Sequence, residues 1–365
     1  VVPGARETAR VSEARPRMLW RLTTVRYSEL APGLHVSEVG FGNWTVTTGW
    51  WGDYTRQEAI DLHRAAYDAG ITFFDTSNAY AEGYAEEVLG QALAGVRDEV
   101  VIATKFGYDL EATEGRRGHQ ERPHKTDLDS VRADLEASLR RLGTDHIDLY
   151  QLHNPRFGHL DDDALWELLE QRRQAGDIRA VGIALGPKIG WRDEGLHGMR
   201  TRDLDAVQLI HNLLEQDPGR ELLAGAKETG TKGIVRVPHS SGMLEGNLTE
   251  DTVFPAGDHR RHRPRSWLIE GVAKVRRLGF LTERRTLGQA ALLWLLADDA
   301  VATTLPNIYG REQLEEFAAA PERPALTQEE LDAIADLYAR NFDVTPLADQ
   351  QTKIADAQAQ EPTRP

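Results

Sequence analysis

The sequence predicts an eight-stranded α/β barrel, and three observations predict it. Short apolar runs alternate with longer amphipathic stretches along most of the chain. Several runs are continuous rather than alternating, as parallel strands buried on both faces are. Eight such runs occur, each followed by helical spacing, and a closed (β/α)8 barrel is the economical arrangement of that pattern. A doubly wound sheet is the rival. It calls for a glycine-rich strand–turn–helix fingerprint, and Gly40-Phe41-Gly42-Asn43-Trp44 reaches no third glycine.

The apolar runs are Val39–Trp44, Ile71–Asp75, Val100–Lys105, Ile147–His153, Ala180–Leu185, Ala206–Ile210, Gly233–Pro238 and Val301–Pro306. Between them, Thr55–Ala69 opens with Thr55 as N-cap and Glu58 three residues on, and closes at Gly70. Asp127–Leu142 and Leu165–Ala175 end at Gly143 and Gly176 in the same way. Gly219–Glu228, Trp267–Leu278, Leu287–Leu296 and Gln313–Ala319 follow, and Gln328–Ala339 adds a terminal helix. Two connections exceed the usual ~2–6 residues: Gly107–Thr126 after the third run and Ser240–Pro264 after the seventh. Both leave the carboxyl ends of strands and are candidate lids. The barrel is expected over residues 23–345, with a poorly ordered extension over 1–22, Met18 as a native start, and a tail over 346–365.

Composition excludes several classes. The 365 residues are 40% hydrophobic and 28% charged, a globular mixture. A net charge of −15 argues against nucleic acid as a partner. No apolar run approaches the ~20 residues of a membrane helix, and no secretory signal is legible, so a cytoplasmic protein is expected. Cysteine is absent, which removes disulfides, thiolate nucleophiles and Cys-ligated zinc. The oligomeric state is left open.

Polar residues at the ends of apolar strands need a reason, because burial without a partner is costly. The second run ends in Asp75-Thr76 with Tyr80 close behind, the third in Thr104-Lys105, and the fourth in His153-Asn154. In a barrel these ends share one mouth. An ammonium near a phenol favours the phenolate, a carboxylate holds the ammonium charged, and a neutral imidazole can orient a carbonyl. That assembly suits carbonyl reduction.

Phe73-Phe74-Asp75-Thr76-Ser77-Asn78-Ala79-Tyr80, followed by Glu86-Glu87-Val88-Leu89-Gly90, resembles the signature of the aldo-keto reductases. Thr104-Lys105, Ile147-Asp148-Leu149-Tyr150-Gln151-Leu152-His153-Asn154-Pro155 and Ile178-Arg179-Ala180-Val181-Gly182-Ile183 resemble further blocks of that family. The resemblance runs from about Tyr27 to Phe317. It implies a (β/α)8 barrel that binds a nicotinamide dinucleotide without a Rossmann domain, NADPH in the first place and NADH in the second. It implies Tyr80 as general acid in reduction and base in oxidation, Lys105 and Asp75 as its tuners, and His153 as the group that orients the carbonyl of a small aldehyde or ketone.

Coenzyme contacts implied by the resemblance fall on Asn154, Gln208, Arg236, Arg311 and Gln313. Relatives usually close the block after Ile183 with Ser-Asn, which hold the carboxamide; here the positions are Ala184 and Leu185. Arg236 stands where an aromatic ring often stacks on the nicotinamide, and a cation there disfavours the oxidised, positively charged ring. Arg311, at a helix start, suits a phosphate. Trp44, Trp50 and Trp51, with His239, are expected to wall the substrate pocket.

Two other classes compete. A metal-dependent barrel hydrolase or isomerase would draw on His119, His124, His153, His211, His239, His259 and His262. No His-x-His pair ends a strand, and Asp258-His259-Arg260-Arg261-His262-Arg263 would repel a cation, so no bound metal is expected. A catalytically weak NADP(H)-binding redox sensor, similar to the potassium-channel beta subunits, is kept in play by Ala184-Leu185 and opposed by the intact Asp75, Tyr80, Lys105 and His153.

Overall fold

A computed structural model describes residues 25–112, 121–186 and 191–347. The expected extension over residues 1–22, the tail from residue 348, part of the first long loop (113–120) and His119 lie outside the described residues.

The chain enters as an antiparallel hairpin, β1 (Tyr27–Ala31) and β2 (Leu34–Ser37). Its turn is Pro32-Gly33, with Gly33 at φ +72°, a backbone conformation that glycine adopts without strain. Eight parallel strands follow: β3 (Phe41–Gly42), β4 (Phe73–Asp75), β5 (Val101–Phe106), β6 (Ile147–His153), β7 (Ile178–Ala184), β8 (Ala206–Ile210), β9 (Lys232–Arg236) and β10 (Val301–Leu305), hydrogen-bonded in chain order. Gly40 N donates to Thr304 O at 2.8 Å and Thr304 N to Glu38 O at 2.9 Å. These bonds join the first strand region to the last and close the barrel. The first run is shorter as a strand than expected. Trp44–Thr47 turns into one helical turn, and Asn43 N pairs with Asp75 O at 2.8 Å before it does so.

Two apolar layers hold the barrel. Its interior is filled by Phe73, Val101, Leu149 and Ile234 among small residues Ala103, Ala180, Ala206 and Ala302, with Leu30, Leu34 and Val36 of the hairpin packed into the same cluster. The hairpin therefore stops the amino-terminal end of the barrel. The outward faces of the strands pack on the helices in a second, larger cluster.

The expected helices form close to their expected bounds. Arg56–Asp68 has both halves of the Thr55/Glu58 capping box, and Leu128–Leu142 runs from the Asp127 cap to Gly143 at φ +65°. Asp163–Ala175, Gly219–Thr229, Arg265–Arg277, Leu287–Leu296, Arg311–Ala318 and Gln328–Ala339 complete them. Two further helices, Tyr84–Leu93 and Arg192–Thr201, were not expected, and neither has a side-chain N-cap bond. No helix among the described residues is long and apolar enough to cross a membrane.

Candidate active site

Pairing of β4 with β5, and of β5 with β6, brings the polar strand ends together. Lys105 is wholly buried on β5. Its Nζ donates to Asp75 Oδ1 at 2.7 Å and to Thr76 O at 2.7 Å. Burial disfavours the ammonium, but the charge and hydrogen bonding of Asp75 and Tyr80 outweigh it and raise the lysine pKa above its ordinary value. The second carboxylate oxygen of Asp75 accepts Gln208 Nε2 at 2.9 Å and Gln151 Nε2 at 3.3 Å. The buried pair is thus hydrogen-bonded on both sides, the condition under which buried charges are tolerated.

Tyr80 opens a short 3-10 turn after β4. The Lys105 ammonium lies 4.9 Å from its ring centroid. His153 closes β6 and meets the Tyr80 ring edge-on, with centroids 6.1 Å apart. Burial, then the cations Lys105 and Arg236, hold the His153 imidazole neutral, far below its usual pKa. Four side chains from two strand ends, one strand and one turn are therefore brought together.

Asp75, Tyr80 and His153 line a cavity of about 730 Å³ at the carboxyl ends of the strands, within the range of small-molecule sites, and Lys105 is buried behind them. Asn154, Gln208 and Arg236 line it, as do Trp44 and Trp51. Trp50 instead lines a neighbouring cavity with Thr48, Glu82 and Arg122; Trp44 and Tyr80 are shared by both. Arg311 lies apart, in a surface groove with Asp61, Arg64, Asp68 and Glu315. Gln313 is half-buried on the same helix.

His239 is a correction. It was expected to face the mouth, and it points the other way: it is buried, Nε2 pairs with Gly288 O at 3.0 Å, and its ring packs on Phe317 at 4.5 Å. Val237 and Ser240 take left-handed backbone angles on either side of Pro238 and His239, and the loop so turned seats the imidazole against the helix Leu287–Leu296.

Sequence reasoning missed a network beside His153. Tyr108 donates to Glu121 Oε1 at 3.0 Å, and Asn154 Nδ2 donates to both the Tyr108 hydroxyl and Glu121. Arg156 pairs with the other Glu121 oxygen at 2.7 Å and lies 3.6 Å over the Trp191 ring. Burial, then Glu121, pushes the Tyr108 phenol well up. It also missed Ser241 and Arg263 on the cavity wall; nothing in their local sequence marks them, since a loop of unknown path brings them there. No three His, Asp or Glu side chains converge as a metal site among the described residues.

The profile of the Aldo/keto reductase family matches residues 38–339. The chain belongs to the aldo/keto reductase family. It is 32% identical over 246 residues to aldo-keto reductase YhdN of Bacillus subtilis, covering 66% of this chain and 70% of the relative. It is 29% identical over 300 residues to the NADH-specific methylglyoxal reductase of Escherichia coli, covering 78% and 90%. Among solved structures it is similar to the glycerol dehydrogenase of Gluconobacter oxydans, with a TM-score of 0.74, 26% identity and coverage of 89% and 98%. As a member of this family the protein is an NAD(P)H-dependent oxidoreductase.

The cavity of this aldo/keto reductase fits such a coenzyme. Gly42 lines it, and a Cβ built there meets nothing within 4 Å, so a side chain would occupy the open space. Arg263 offers a guanidinium group, Ser241 a hydroxyl, and Trp51 a buried indole N–H that has no acceptor among the described residues, a donor set suited to an anionic diphosphate. Arg236 is braced by Leu185 O at 3.0 Å and Gly186 O at 2.8 Å. Asn154 gives both amide hydrogens to Tyr108 and Glu121, and Gln208 gives one to Asp75. Asn154 thus has its oxygen to offer a carboxamide, and Gln208 its oxygen and a second N–H. Ala184 and Leu185 contribute only apolar wall.

Proposed function

We propose that this protein reduces a small aldehyde or ketone, or runs the reverse alcohol oxidation, with Tyr80 as the proton donor. One observation supports the reading: an ammonium wholly buried between Asp75 and Thr76 O lies 4.9 Å from the centroid of the Tyr80 ring, and Tyr80 and Asp75 line the cavity. Bound nicotinamide supplies the hydride. Tyr80 gives its proton to the developing alkoxide, and Lys105 stabilises the negative charge left on the phenol oxygen. Asp75 keeps that cation in place, and the two glutamine amides fix Asp75. His153, held neutral, offers an N–H to the carbonyl oxygen rather than a second positive charge.

NADPH is the coenzyme we assign, with NADH second. Arg311 supports the former only as a cation at the start of the helix after β10, in a groove apart from the cavity and with carboxylates of Asp61, Asp68 and Glu315 around it. Relatives of both kinds are named, one NADH-specific and one carrying NADP(+). Titration with NADPH and NADH, followed by tryptophan quenching, separates them.

The reading is tested by steady-state reduction of a simple aldehyde with wild type and Tyr80→Phe. Removal of the donor lowers kcat by about 10²–10⁴-fold; equal rates would refute the role. The apolar Ala184-Leu185 wall favours a second reading, the redox sensor, which predicts tight coenzyme binding without sustained turnover in the same assay.

A further inference from the structure

The turn that carries Tyr80 has an uncommon backbone. Ala81, Glu82 and Gly83 follow it with φ of 47°, 57° and 93°, and two of these three left-handed residues bear side chains. Such strain persists only where the surroundings fix it. Here the surroundings include Arg141, from the helix Leu128–Leu142: a Cβ on Gly83 would stand 2.7 Å from Arg141 Cδ, so the turn is moulded against that side chain. Arg141 Nε donates to Glu86 Oε2 at 2.7 Å. The other oxygen, Oε1, accepts the Thr104 hydroxyl at 2.6 Å. Thr104 immediately precedes Lys105 on β5, and Glu86 is wholly buried. Gly90, one turn further along the same helix, allows the close approach: a Cβ there would stand 2.5 Å from Leu142 O.

We infer that Glu86 is a positioning residue for the reaction. Its single carboxylate joins the segment bearing Tyr80, the strand bearing Lys105 and the arginine that shapes the turn, and so sets the separation of phenol and ammonium. An ion pair kept for stability alone is poorly explained at this depth, because buried pairs often do no better than apolar groups of the same shape. The inference rests on Tyr80 being the proton donor.

The test is Thr104→Val against Thr104→Ser, with Glu86→Gln and Tyr80→Phe alongside, each measured for kcat, KM and NADPH affinity per folded molecule. Thr104→Val cuts the strand from Glu86 while leaving Glu86 and Arg141 in place. It lowers kcat about tenfold to a hundredfold, the loss expected from a small misplacement of reacting groups, with KM and NADPH affinity unchanged. Thr104→Ser keeps the hydroxyl and restores the rate. Glu86→Gln lowers kcat in the same sense; should it fail to fold, the Thr104 pair carries the test. Wild-type kcat in Thr104→Val, whatever its thermal stability, overturns the positioning role, and so does an equal loss in Thr104→Ser. If Tyr80→Phe is inactive while Thr104→Val is fully active, only this inference falls. If Tyr80→Phe is fully active, the reading of the site falls and takes the inference with it.

Discussion

Lys105 Nζ is 2.7 Å from Asp75 Oδ1, with the lysine side chain entirely shielded from solvent. Removing one member of such a pair costs far more than removing both, because the survivor keeps its charge without a partner. Asp75→Asn is expected to destabilise the fold by about 3–5 kcal/mol. The double replacement Asp75→Asn with Lys105→Met is expected to be more stable than Asp75→Asn alone. Urea unfolding of the three proteins checks the order, and a double variant less stable than the single one would contradict it.

Arg236 presents a guanidinium to the cavity while two carbonyl oxygens hold it in place. If the nicotinamide binds beside it, as proposed, this cation discriminates against the charged, oxidised ring. Arg236→Gln is therefore expected to lower the ratio of NADPH to NADP+ affinity by about tenfold, which is ~1.4 kcal/mol. Paired fluorescence titrations measure it, and an unchanged ratio would show that the guanidinium is not felt at the ring.

Trp44 borders both cavities next to Tyr80. Trp44→Ala removes a large apolar wall at the point where they meet. KM for an aldehyde is expected to rise about tenfold, in line with the loss of an aromatic contact, with a smaller change in coenzyme affinity. The reverse pattern in the kinetics would assign the indole to the coenzyme.

Burial holds His63, His211 and His239 at about 4 and His153 well below its ordinary value. Each is depressed in the folded state, so the unfolded chain takes up the proton first, near ~6.5. The stability carried by the neutral rings is complete above that pH and is lost as the pH falls toward 4. Two buried carboxyls, Glu245 pushed up to about 7 and Asp134 to about 6, act in the opposite direction, but the four imidazoles outweigh them. Unfolding free energy is expected to fall between pH 6.5 and 4.5. In His239→Gln the slope should be shallower by up to ~1.4 kcal/mol per pH unit. Urea midpoints across that range decide it; a slope equal to wild type would place the His239 proton elsewhere.

The barrel was legible because its strands are short, apolar and bounded by capped helices, and the strand ends carried Asp75, Lys105 and His153 in plain view. The helices that escaped detection lack those signals. Tyr84–Leu93 begins after left-handed Gly83 with no capping side chain. Arg192–Thr201 contains Gly195 and Gly198, poor helix formers; a Cβ on Gly195 would stand 2.5 Å from Leu222, so packing overrides propensity there. The entry hairpin carries one local mark, Pro32-Gly33 at its turn, but its strands Tyr27–Ala31 and Leu34–Ser37 mix polar and apolar residues and stand outside the βα repeat. His239 shows the limit of reading position as direction. A residue just past a strand end faces the mouth only if the loop continues outward, and left-handed turns around Pro238 reverse it.

With Leu30, Leu34 and Val36 packed into the far end of the barrel, ligands approach the reaction chamber from the carboxyl ends of the strands. Coenzyme and substrate then share one cavity wall, from Gly42 and Gln208 to Trp44 and Trp51, and come and go on the same side of the barrel. Traffic is then a queue. The guest that sits deeper arrives first and departs last, and replacements at the rim should alter the rate of that exchange without altering the chemistry below.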